Sequence, residues 1–95
     1  MGLDVYSVSD KKMENCLITL SDSDVRLLEM EIYFLKEKTG VYVDLYGTTK
    51  LYPDHSKILL EVILKNKKEG KNIINFINVI KESIKQDDVL VFEGD

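Results

Sequence analysis

Apolar and polar positions alternate or recur along most of the chain with a period that identifies an element. From Leu3 to Ser9, β-branched and aromatic residues predominate, with Asp4 and Ser7 between them, and the segment reads as a strand. Asp10 to Asn15 is a polar connector of hairpin length. Cys16 to Leu20 is short and largely apolar, which predicts a second strand buried on both faces. Ser21-Asp-Ser-Asp24 then opens a helix. Ser21 with Asp24 three residues later approximates a capping box, and the carboxylates of Asp22 and Asp24 suit the positive end of the helix dipole. Leu28, Ile32 and Leu35 share one stripe of this helix, Lys36 and Lys38 lie in its last turn, and Gly40 ends it.

Val41 to Tyr46 alternates again and is expected as a third strand, followed by a loop over Gly47 to Lys50. Pro53 fits the first position of a helix, where its missing N–H costs nothing. The apolar run Ile58 to Leu64 has the length of either a buried strand or a helix; Pro53 and the polar run after it favour helix. Gly70 ends it. Asn72 is a candidate cap for a third helix, on which Ile73, Phe76, Ile77, Ile80 and Ile84 recur three to four apart, with Ile77 and Ile80 expected in the core. Asp87 and Asp88 break that spacing, and Val89 to Phe92 is a closing strand.

The expected order is ββαβααβ: an α/β fold, one small domain over residues 1–95, with a four-stranded mixed sheet and three helices. The β–α–β unit from the second strand to the third favours a parallel, right-handed crossover, and the first two strands should pair antiparallel. Ninety-five residues support one hydrophobic core.

Composition narrows the chemistry. Cys16 is the only cysteine, so neither an intrachain disulfide nor a thiolate zinc site is available, and a reducing cytoplasm is the expected setting. The first residues lack the basic and apolar regions of a signal peptide, and no apolar run approaches the ~20 residues of a membrane span. His55 is the only histidine; a nucleophilic pair would require it to meet Cys16, which is expected inside a strand as a small hydrophobe. Asp22 and Asp24 lack the glycine and distant glutamate of a calcium loop, and the five glycines stand singly, so no phosphate cradle is present. The expectation is a non-enzyme without metal or cofactor.

Charge is unevenly placed. Residues 1–49 carry 5 basic and 9 acidic groups, residues 50–85 carry 8 and 4, and residues 86–95 carry 4 acidic groups alone. The net charge of −4 argues against a general nucleic-acid binder. The basic run Lys65, Lys67, Lys68, Lys71 fits a helix-turn-helix reader, but a solvated turn between helices explains it more simply. The tyrosines are more informative. Tyr42, Tyr46 and Tyr52 fall within eleven positions, interleaved with Asp44 and Asp54, and tyrosine buries a large area at an interface for little lost entropy.

Asp44-Leu-Tyr-Gly-Thr-Thr-Lys-Leu51, then Pro53-Asp54 and the apolar segment from Ile58, resembles a pattern of small bacterial immunity proteins, the antidotes of polymorphic and contact-dependent toxins. The ending Val89-Leu-Val-Phe-Glu-Gly-Asp95 is similar to theirs. The resemblance covers residues 44–64 and 89–95, 28 of 95. Where the similar helices open with Ser before Pro, this chain has Tyr52. The resemblance implies tight binding to one cognate toxin domain, a nuclease with a basic groove being the expected target, and occlusion of its active site. The alternatives are a cytoplasmic adaptor or ligand-binding regulatory domain and, more remotely, a helix-turn-helix regulator. The residues expected at the partner interface are Asp44, Tyr46, Tyr52, Asp54, Glu93 and Asp95.

Overall fold

A computed structural model describes residues 2–94. Its elements are β1 (Gly2–Ser7), β2 (Ile18–Ser21), α1 (Asp22–Leu27), α2 (Glu29–Thr39), β3 (Thr48–Leu51), α3 (Pro53–Lys65), α4 (Lys71–Lys85) and β4 (Leu90–Gly94). The strands form one sheet in the order β2-β1-β4-β3, and every neighbouring pair is antiparallel. Among the described residues there are therefore four helices where three were expected, and the sheet is antiparallel rather than mixed.

The physical reason lies in the middle of the sheet. The first and last strands of the chain pair with each other, Val5 opposite Phe92, and so occupy the centre. That pairing pushes β2 and β3 to opposite edges. Two strands that are not neighbours cannot form the parallel β–α–β unit expected of them.

Alternation along each strand places one face of the sheet on the core. Leu3, Val5, Ile18, Leu20, Leu51, Leu90 and Phe92 point inward and are buried. Asp4, Tyr6, Thr19, Thr48, Lys50, Val91 and Glu93 take the other face, on which all but Val91 are exposed or partly exposed. β2 is thus buried on one face, not both, and starts at Ile18. Cys16 precedes it and is exposed, its thiol donating to the Ile18 carbonyl at 3.3 Å. The expectation of a core cysteine fails there.

The capping box forms in full: the Asp24 N–H donates to Ser21 Oγ, and the Ser21 N–H donates to the Asp24 carboxylate. The helix it opens is interrupted at Leu28 (φ −100°, ψ 6°), whose side chain is buried. Its N–H is shared between the carbonyls of Asp24 and Val25, so α1 and α2 meet there without a loop. Gly40 closes α2 at φ 80°, the left-handed conformation expected of that glycine.

α3 settles the ambiguous segment as a helix, with Leu59, Val62 and Ile63 buried. α4 buries Ile73, Phe76, Ile80 and Ser83, while Ile77 is only partly buried at the margin of this stripe. Phe76 meets Phe92 edge to face at 6.1 Å, joining α4 to the central strand. Asn72 does not cap α4. The cap is Gly70, and the Asn72 amide instead donates to the Thr19 carbonyl and the Asp24 carboxylate, tying α4 to the start of α1.

The turn between α3 and α4 is fastened to α2 by an ion inside the protein. Glu31 is completely buried. Its carboxylate accepts from the Asn66 side chain, and Lys68 Nζ lies 3.7 Å from Oε1. Lys68 thus has a partner in the fold, and part of the basic run serves structure.

Candidate functional site

Val41 to Tyr46 keeps the alternation that predicted a strand: Val43 is buried, Val41 and Leu45 are partly buried, and Tyr42, Asp44 and Tyr46 are exposed. It is nevertheless not a strand. Asp44 Oδ1 accepts the Tyr46 N–H at 2.9 Å, and the Asp44 N–H donates to Thr49 Oγ1 at 2.9 Å, so the backbone is committed to a turn. The strand comes next, over Thr48 to Leu51, where a loop was expected.

Close approach to the sheet holds this turn in place. The Gly94 N–H donates to the Gly47 carbonyl at 2.8 Å, and a Cβ on Gly94 would lie 2.2 Å from the Leu45 carbonyl oxygen. Only glycine lets the 44–47 turn seat against the end of β4. Thr48 Oγ1 then donates to Glu93 Oε1 at 2.6 Å, bringing Glu93 beside the turn.

Between this segment and the α1–α2 pair lies a cleft in two parts. One, of about 230 Å³, is bordered by Asp22, Arg26, Leu45 and Tyr46. The other, of about 240 Å³, is bordered by Arg26, Tyr33, Tyr42 and Leu45. Val25, Arg26 and Leu45 border both parts. Tyr33, Tyr42 and Tyr46 stand along it with 56%, 46% and 70% of their surface exposed. Lys36 Nζ lies 5.6 Å from the Tyr33 ring centre and 5.1 Å from that of Tyr42, which holds both rings in place by cation–π attraction.

The six expected interface residues divide. Asp44, Tyr46 and Glu93 gather at this end of the molecule. Tyr52 and Asp54 follow β3 and lie at its opposite end, where Tyr52 meets His55 edge to face at 6.0 Å. Asp95 lies outside the described residues. The single surface expected from sequence order is therefore two, because four residues of strand separate Gly47 from Tyr52. Arg26, Tyr33 and Lys36 were missed. The spacing of three between Tyr33 and Lys36 would have placed them beside each other on one helix flank, but the partner ring, Tyr42, becomes visible only in the fold.

Carboxylates surround the same end. Asp4 and Glu93 are directly opposite on the central strands, and each is held by a threonine hydroxyl: Thr19 to Asp4 at 2.8 Å, Thr48 to Glu93. Asp22 and Asp44 flank Tyr46. Farther along the open sheet face, partial burial together with Cys16, Asp4 and Asp10 pushes the Tyr6 phenol above its usual range. Asp24 moves the other way. Burial acts against its charge, but the Asn72 amide and the Ser21 N–H and hydroxyl outweigh it and hold the carboxyl below its ordinary value.

Cys16 precedes β2 and His55 follows β3, strands at opposite edges of the sheet, so they do not form a pair. His55 Nδ1 is buried without a hydrogen-bond partner among the described residues. No group of three His, Cys, Asp or Glu side chains among the described residues is placed to hold a metal ion, and no helix among them is long and apolar enough to cross a membrane.

Comparison with protein families, curated proteins and solved structures finds no match.

What the cleft offers chemically is recognition. Exposed aromatic rings with polar tips, fixed by a lysine and set among carboxylates, match the make-up of protein-binding surfaces.

Proposed function

We propose that this chain is a protein inhibitor of the immunity type, which binds a cognate bacterial toxin domain one to one and neutralises it by covering its active site. The observation that carries the reading is the two-part cleft with Tyr33, Tyr42 and Tyr46 along it. Three large, partly exposed rings along one cleft form the kind of clustered apolar surface that marks an interaction site. Cation–π contacts to Lys36 hold two of the rings in position beforehand, which reduces the entropy lost on binding.

The carboxylates at the same end define the partner's chemistry. Asp4, Asp22, Asp44 and Glu93 present negative charge toward a basic surface, as the phosphate-binding groove of a nuclease toxin would be. The tyrosines then supply residence time and the carboxylates the speed of encounter. The resemblance of residues 44–64 and 89–95 to immunity proteins points the same way.

Co-expression with the protein encoded next to this chain is the test. Growth should be protected and a one-to-one complex should purify. Neither protection nor a complex with that neighbour would refute the reading.

A further inference from the structure

β1 has a concavity at each end. Gly2, at its start, borders the tyrosine cleft, whereas Ser7, at its end, borders a groove of about 490 Å³ shared with the C-terminal half of α4. That volume is in the range of small-molecule sites. Asn78, Glu82 and Gln86, four residues apart on α4, run along it for about 12 Å. The groove carries charge of one sign. Glu82 and Asp88 border it, and no lysine, arginine or histidine does. The end of α4 adds the partial negative charge of its last carbonyls. Neutral groups fix both carboxylates without cancelling their charge. The Gln86 side chain donates to Glu82 Oε1 at 2.7 Å, and Ser7 Oγ donates to Asp88 Oδ2 at 2.5 Å. The Asp88 N–H donates to the Ser83 carbonyl at 2.8 Å, which holds Asp88 against the last turn of α4. Leu17, which is exposed, and Val79, which is half-buried, give the same groove an apolar strip.

We propose that this groove binds a small aliphatic amine, with its ammonium group at Glu82 and Asp88 and its carbon chain along Leu17 and Val79. Charge selects the head group. An anion is repelled, and a neutral ligand would cover two carboxylates without pairing them. A bare divalent cation needs more oxygen ligands than two side chains supply, and no group of three acidic, histidine or cysteine side chains among the described residues is placed to hold one. The apolar strip selects the body, because only a ligand with carbon surface of its own gains from covering it. The site lies apart from the tyrosine cleft and does not depend on the inhibitor reading.

Titration of the isotope-labelled full chain with n-pentylammonium, pentanol and pentanoate at neutral pH tests this, since the three share one carbon chain and differ in the head group. By NMR, the ammonium should shift the amides of Leu17, Val79 and Asp88 saturably, with a Kd of about 1 mM for so small a ligand. Pentanol should bind about tenfold more weakly and pentanoate not at all. Glu82 is exposed, so Glu82→Gln should keep the wild-type unfolding midpoint while weakening the ammonium by about threefold or more. Glu37→Gln, at an exposed position on α2, should leave binding unchanged. An ammonium that does not saturate these shifts by ~20 mM would overturn the proposal. So would an alcohol that binds as tightly, or binding indifferent to Glu82→Gln.

Discussion

Glu31 is the charge most deeply placed in the fold, and removing what surrounds it should expose how the helical layer is held. The carboxylate has no exposed surface, accepts from Asn66 through one oxygen, and has Lys68 Nζ at 3.7 Å from the other. At an effective dielectric of about 20, two charges at that separation attract by about 4.5 kcal/mol. Lys68 retains a quarter of its side-chain exposure, so water screens the pair and Lys68→Met should cost about 1–2 kcal/mol. Asn66→Ala removes a hydrogen bond donated to a buried ion and should cost about 1.5–3 kcal/mol. Glu31→Gln keeps the volume and removes the charge. On that background Lys68→Met should cost almost nothing, because the penalty arises from a buried charge left alone. Urea unfolding at neutral pH, fitted as two-state, supplies all four corners of the cycle. An equal cost for Lys68→Met on both backgrounds would refute the reasoning, since the lysine would then act through its stem and not its charge.

Three further outcomes follow from the same geometry. Ile80→Ala should lower stability by about 2–5 kcal/mol, and Ile77→Ala by clearly less, as measured by thermal unfolding; equal losses would mean that α4 faces the core differently. Asp24 is held below its ordinary value of 3.8, so its stabilisation is fully present above that pH and is lost as pH falls through the lowered folded value. Asp24→Asn should therefore flatten the acid limb of the stability profile, and an unchanged acid limb would contradict the assignment. Glu93→Gln should slow association with the partner and weaken its salt dependence while leaving dissociation unchanged, as read by stopped-flow at several ionic strengths.

Local signals in the chain were reliable where local forces decide. The capping box at Ser21 and Asp24, the left-handed stop at Gly40 and the proline start of α3 all depend on groups within a few residues, and all form. Pairing was less legible. Val41 to Tyr46 has the alternation of a strand, and the alternation is real, because Val43 faces the core and Tyr42 faces water. Burial, however, sets that pattern whether or not a neighbouring strand is present. The sheet edge is taken by Thr48 to Leu51, since Asp44 turns the chain just before it. Sheet order was illegible for the same reason: Val5 opposite Phe92 is a contact across nearly the whole chain. Of the expected interface residues, Asp44, Tyr46 and Glu93 lie together at one end of the molecule, Tyr52 and Asp54 fell at the far end of β3, and Tyr33 was concealed in what read as an ordinary helix face.

The central claim is that the tyrosine cleft holds the partner, and dissociation kinetics test it most directly. Tyr46, the most exposed of the three rings, can be removed with little effect on the fold, which the unfolding midpoint verifies. Surface plasmon resonance with the partner that the co-expression test identifies should show Tyr46→Ala dissociating at least ~30-fold faster, as loss of an anchor worth about 2 kcal/mol requires, with association almost unchanged. Tyr52→Ala, at the other end of β3, should behave as wild type. A complex whose lifetime is indifferent to Tyr46 and sensitive to Tyr52 would contradict the account and move the interface to the far end of the sheet.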